Sequence, residues 1–180
     1  PGYNGAIVTS NRFEYSTNII VSNGYREPIR MFELDKNGKW SNITTEAKLD
    51  SIPGGQRMYS VDINNDGLQD IFIIRKIASG RPTFLYPTLL LNQGDGTYLN
   101  LGKDIGFNIP QKANCACFLD ANEDGKLDIF VGNENYNSQL FIQNDSLQFV
   151  ESANQFGIVT KPYRVKDCIA IDVNQDKKLD

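Results

Sequence analysis

The sequence predicts an all-β chain, a β-propeller of four-stranded blades, with about three blades plus the first strand and loop of a fourth within 180 residues. Three observations predict it. A nine-residue acidic segment recurs at Asp62–Asp70, Asp120–Asp128 and Asp172–Asp180, its starts 58 and 52 residues apart. A second landmark travels with it, an apolar run, a polar turn and an aromatic residue, at Leu34–Trp40, Leu91–Tyr98 and Ile142–Phe149. The segments that flank these landmarks are short and rich in β-branched and aromatic residues, with no helical period. A repeat of 50 to 60 residues carrying four short strands is the pattern of a propeller blade.

Each unit can be followed along the chain. The units run over about 1–52, 53–110 and 111–162, and an incomplete one over 163–180, all within a single propeller segment. The first has lost its acidic loop, since Ser10, Arg12, Glu14 and Asn18 stand where the other copies carry Asp or Asn. In the later units an apolar segment leads into the loop (Tyr59–Val61, Ala116–Leu119, Ile169–Ile171) and a second leads out (Ile71–Ile74, Ile129–Val131). The polar turn then joins two further strands as a hairpin, because Gly, Asn and Asp tolerate the positive φ such turns need. Nine residues beyond each aromatic lies an apolar residue, Leu49, Phe107 or Ile158. The units differ mainly at Arg75–Pro87, extra residues that read as a surface loop.

Composition narrows the function. A hydrophobic share of 40% with 22% charged residues describes a folded chain. Its 22 acidic and 18 basic residues give a formal charge of −4 with no basic run, so nucleic acid is not an expected partner. Apolar runs such as Leu89–Leu91 are far shorter than the ~18 residues of a membrane span. The sequence opens at Pro1 without a leader, which reads as a processed or excised piece. There is no histidine, which removes imidazole triads and His-bearing zinc sites. Cys115, Cys117 and Cys168 lack CxxC spacing; the first two share a strand face and are too constrained to join each other. Buried thiols are the simplest reading of all three, with a bridge from Cys168 to either of the others left open.

The acidic loops carry the chemistry. Asp or Asn at positions 1, 3, 5 and 9 with Gly at 6 gathers hard oxygen donors on a tight turn, which suits calcium. In the first copy the ligands are expected to be Asp62, Asn64, Asp66 and Asp70 with the Leu68 carbonyl; in the second, Asp120, Asn122, Asp124 and Asp128 with the Lys126 carbonyl. The third offers Asp172, Asn174, Asp176 and Asp180 with the Lys178 carbonyl, but Lys177 replaces the glycine and weaker binding is expected. Carboxylates held about 4 Å apart repel by roughly 4 kcal/mol per pair at an effective dielectric near 20, so an empty loop would open or take up protons. Two divalent ions would bring the formal charge of −4 to zero. The same residues also suit Asx turns that hold no ion. An EF-hand is excluded, since its position 12 needs Glu and is Ile73 or Val131 here.

The segments Ser60–Phe72 and Leu89–Tyr98 resemble the FG-GAP/VCBS repeats of integrin alpha-like β-propellers. The resemblance covers essentially the whole chain. It implies that each acidic loop joins the first two strands of a blade, and that calcium sits on the face opposite the usual ligand face. Arg75–Pro87 would then lie on the ligand side. The function expected is a calcium-binding, non-enzymatic propeller segment of a secreted or cell-surface protein, acting in adhesion or in binding a protein or carbohydrate ligand. The alternatives are a propeller domain of a polysaccharide-active enzyme and a purely structural scaffold. An open wedge of blades would leave edges bare, so the remaining blades are expected from the same longer chain or from a partner chain.

Overall fold

The computed structural model describes residues 5–9, 17–22, 27–75, 86–107, 112–134, 136–158, 164–175 and 179. Three four-stranded antiparallel sheets account for the regular structure among them, together with one 3-10 turn at Gly102–Ile105. The first sheet holds β1 (Gly5–Thr9), β2 (Thr17–Ser22), β3 (Arg30–Leu34) and β4 (Trp40–Asn42). The second holds β5 (Arg57–Val61), β6 (Asp70–Ile74), β7 (Thr88–Asn92) and β8 (Tyr98–Asn100). The third holds β9 (Ala113–Leu119), β10 (Asp128–Asn133), β11 (Gln139–Gln143) and β12 (Phe149–Glu151). In every sheet the strands follow chain order as a meander, as the repeat predicts. The chain divides into two compact units, Pro1–Arg75 with Pro87–Gly102, and Lys76–Tyr86 with Lys103–Asp180.

The first unit contains the first two sheets. Its second sheet is registered by Val61 opposite Asp70 and Ile71 opposite Leu90, so the acidic loop is the connection between β5 and β6. All five residues of β6 are buried, which is why Asp70–Ile74 reads as a continuous apolar run with one carboxylate at its start. Ile71, Ile73, Leu90 and Tyr98 pack in one cluster with Ile20, Met31, Leu49 and Ile52. Each such side chain, when fully buried, stabilises by roughly 1.5–3 kcal/mol. The Tyr98 amide donates to the Ala47 carbonyl at 3.2 Å, so the aromatic landmark of one repeat is tied to the turn of the preceding one.

The second unit contains the third sheet, where Asp128 stands opposite Leu119 and Phe130 opposite Cys117. Phe107 lies edge-on to Phe141 at 5.2 Å and stacks on Phe149 at 5.0 Å. Gly106 allows this packing. Its φ is +106°, and a Cβ there would lie 1.9 Å from the Phe149 carbonyl oxygen. Leu49 and Phe107, nine residues past their aromatics, are both fully buried. Trp40 departs from its counterparts: it is 42% exposed on β4, whereas Tyr98 and Phe149 are buried.

Two expectations are corrected here. Ile169–Ile171, expected as the strand leading into the third loop, forms no strand; the one bridge from this segment joins Arg164 to Glu134. In the two complete copies that strand pairs with the one leaving the loop, and within residues 1–180 none follows Asp180. Arg75, expected to open a surface loop, is only 3% exposed. Its guanidinium donates to the Pro53 and Gly54 carbonyls and to the Thr88 hydroxyl, which ties it to the segment before β5 and to the start of β7. The rest of that insertion, 76–85, lies outside the described residues.

Candidate metal site in the acidic loops

The first two loops are near copies in atomic detail. In the first, the Asp62 carboxylate accepts from the amides of Asp66 at 3.0 Å and Gly67 at 2.9 Å. Asp66 accepts from the Leu68 amide at 2.8 Å and from the Asn64 side-chain amide at 2.8 Å. In the second, Asp120 accepts from Asp124 at 3.0 Å and Gly125 at 2.8 Å, and Asp124 accepts from the Lys126 amide at 2.9 Å and from Asn122 at 3.0 Å. These bonds make each loop a run of Asx turns. Gly67 and Gly125 adopt φ of +85° and +84°, as position 6 requires, and Asn65 and Glu123 at position 4 are left-handed too, at +57° and +60°. That second left-handed residue has no sequence signature beyond an Asn in one copy.

Position 9 plays a different part from the others. Asp70 and Asp128 are fully buried, whereas Asp66 and Asp124 sit on the exposed rim. Asp70 accepts from the Ile63 amide at 3.1 Å and from the Asn92 amide at 2.8 Å, which joins the loop to the end of β7. Asp128 accepts in the same way from Ala121 and Gln143, each at 2.8 Å. Asn92 and Gln143 return the link through their side chains, donating to the Gln69 and Leu127 carbonyls at 3.2 and 2.7 Å. The sequence reading missed both residues. The available signal was a polar amide closing the apolar run before each turn, at Leu91–Asn92 and Ile142–Gln143.

Electrostatics separates the loops further. Burial pushes the Asp70 carboxyl up to about 6, partly offset by the Asn92 and Ile63 amides, and the Asp66 and Asp62 charges push it the same way as burial. Asp128 is raised for the same reasons. Asp124 is held below the usual carboxylate range, first by the Asn122 amide and then by Lys126. The Lys126 ammonium lies 3.1 Å from Asp124 and 3.0 Å from Asp145, so the second loop carries its own cation where the first has Leu68. Lys126 was expected to contribute only its carbonyl.

The third loop is described only in part. Asp172 accepts from the Gln175 amide at 2.6 Å, Gln175 is left-handed at φ +65°, and Asn174 is exposed. Asp176, Lys177, Lys178 and Asp180 lie outside the described residues, as do Ser10, Arg12 and Glu14 of the decayed copy. Asn18, at position 9 of that copy, is buried, and its side-chain oxygen has no hydrogen-bond partner among the described residues.

The donor chemistry of the first two loops fits a hard divalent cation, since every candidate side chain offers oxygen and the repulsion on Asp70 is what a cation would relieve. Among the described residues, no three His, Cys, Asp or Glu side chains are drawn together as a formed metal cage. The carboxylates hold backbone amides instead. Also among the described residues, no helix is long and apolar enough to cross a membrane.

A family model described as an FG-GAP-like repeat matches residues 62–131 and again 120–180, each match including acidic loops and the strands between them. The chain belongs to the FG-GAP-like repeat family. Among its relatives, Cartilage acidic protein 1 of Xenopus tropicalis is 30% identical over 171 residues, covering 88% of this chain and 25% of the frog protein. The Homo sapiens protein of the same name is 27% identical over 143 residues, covering 77% of this chain and 20% of the human protein. This FG-GAP-like chain therefore spans about a quarter or less of the length of these relatives.

Proposed function

We propose that the chain is a calcium-binding, non-enzymatic β-propeller segment of a secreted or cell-surface protein, serving adhesion or the binding of a protein or carbohydrate ligand. The observation that carries this reading is the duplicated loop. Two segments 58 residues apart in sequence repeat the same hydrogen bonds around the same oxygen donors, each with a carboxylate raised first by burial and then by the acidic residues beside it. Asp62, Asn64, Asp66 and Asp70 would hold one ion, and Asp120, Asn122, Asp124 and Asp128 a second. The ion's contribution is to neutralise clustered charge and stiffen the turn between two strands. Loops of this kind in extracellular modules work at about 0.1–1 mM calcium, which supports a location outside the cell. The vertebrate relatives are named for cartilage and acidity, and this chain is acidic as well, at −4. The three sheets share one meander order, which supports their assembly as blades, with further blades supplied by the same longer chain or a partner.

Isothermal titration of the chelator-treated chain with calcium tests the reading. Binding at two sites, lost one at a time in Asp66→Ala and Asp124→Ala, is expected. The absence of any heat at millimolar calcium, with the chain folded, would leave the loops as Asx turns alone and overturn it.

A further inference from the structure

Three thiols meet on one side of the third sheet, and the acidic loops make no use of them. Cys115 and Cys117 stand two apart on β9 and so share a face, opposite Gly132 and Phe130 of β10. The segment 164–175 is anchored beside them at three points. The Arg164 guanidinium pairs with Glu134 at 3.0 Å, the Val165 amide donates to the Asn133 carbonyl at 3.2 Å, and the Asn114 side chain donates to the Val165 carbonyl at 2.6 Å. Gly132 permits this approach, because a Cβ there would lie 2.6 Å from both Cys115 Sγ and Val165 Cγ1. Cys168 follows three residues beyond Val165 on the same segment. Cys115 is fully buried, whereas Cys117 and Cys168 are partly exposed and line the same open cavity of about 520 Å³.

From this placement we propose that Cys117 and Cys168 join as an intrachain disulfide in an oxidising compartment, with Cys115 kept as the thiol. The oxidant is a small disulfide of the glutathione type. The Cys117 sulfur, as thiolate, attacks one sulfur of the oxidant and expels the first small thiolate. Cys168 gives up its proton to that thiolate and attacks the Cys117 sulfur, which expels the second. Two protein thiols lose two protons and two electrons, and the oxidant takes them up as two small thiols. The bond closes a loop from residue 117 to residue 168 and fastens the segment that opens the third acidic loop onto β9. It does not depend on calcium.

The purified chain is incubated with oxidised glutathione and freed of it. Its thiols are then counted in denaturant with an aromatic disulfide reagent, and its peptides mapped without reduction. One thiol of the three, a peptide pair linking Cys117 with Cys168, and a monomeric chain on a non-reducing gel are expected. Cys115→Ser should keep that pair and leave no thiol, and Cys168→Ser should show no internal bond. Three remaining thiols, a lasting glutathione adduct, a Cys115–Cys168 pair or cross-linked dimers would overturn the proposal.

Discussion

Asp70 shows how one residue can serve the fold and the candidate ion at once. Its two hydrogen bonds to amides favour the charged form, yet burial and the neighbouring Asp66 and Asp62 win, and the carboxyl titrates near 6 against 3.8 when unperturbed. The folded chain therefore holds this proton between those values while the unfolded chain has released it. The group favours folding below 3.8, and that contribution is lost as pH rises through about 6. In excess chelator, the thermal midpoint of the chain relative to Asp70→Asn should fall as pH rises from about 4 to about 6 and level off above that. A flat difference would show that the carboxyl titrates normally. Lys126 poses the converse question. Its ammonium, 3.1 Å from Asp124, competes with any cation for the second loop, and the first loop has Leu68 at that position. Lys126→Leu should tighten calcium binding at the second loop by roughly three- to tenfold. Calorimetry would read this directly, and unchanged affinity would mean that the lysine swings aside at no cost.

At the scale of the element, the strands and loops were legible because each is a local pattern repeated in step: an apolar run, an Asp-rich turn, a second apolar run. Ile71–Ile74 reads as a buried strand and is one. The 3-10 turn at Gly102–Ile105 was not legible, since four residues without an amphipathic stripe carry no periodic signal. Nor was the need for glycine just after it, which comes from a strand distant in sequence. Gly106→Ala would drive a methyl group into the Phe149 carbonyl and force a left-handed backbone on a residue with a side chain. The expected cost is about 3 kcal/mol or more, read as a lower urea midpoint at constant m-value. A loss below about 1 kcal/mol would show that β12 can move away.

For the whole molecule, what the sequence left hidden is what depends on contacts between distant segments. The buried Arg75, the amide links of Asn92 and Gln143 to the loops, and the cavity that Cys168 shares with Cys117 all join residues with no common motif. The loops were visible because their Asp, Asn and Gly pattern lies within nine residues. Those loops lie in the two different units, so calcium bound at both should stabilise residues throughout the chain rather than one sheet. At free calcium tenfold above the dissociation constant, each site contributes about 1.4 kcal/mol. Two sites then raise the thermal midpoint by roughly 5–10 °C for a chain of this size. Asp66→Ala and Asp124→Ala should each remove about half of that rise, and hydrogen exchange should show protection lost over 62–70 in the first and over 120–128 in the second. A midpoint indifferent to chelator in the parent chain would mean that the amide bonds of the Asx turns suffice to hold both loops.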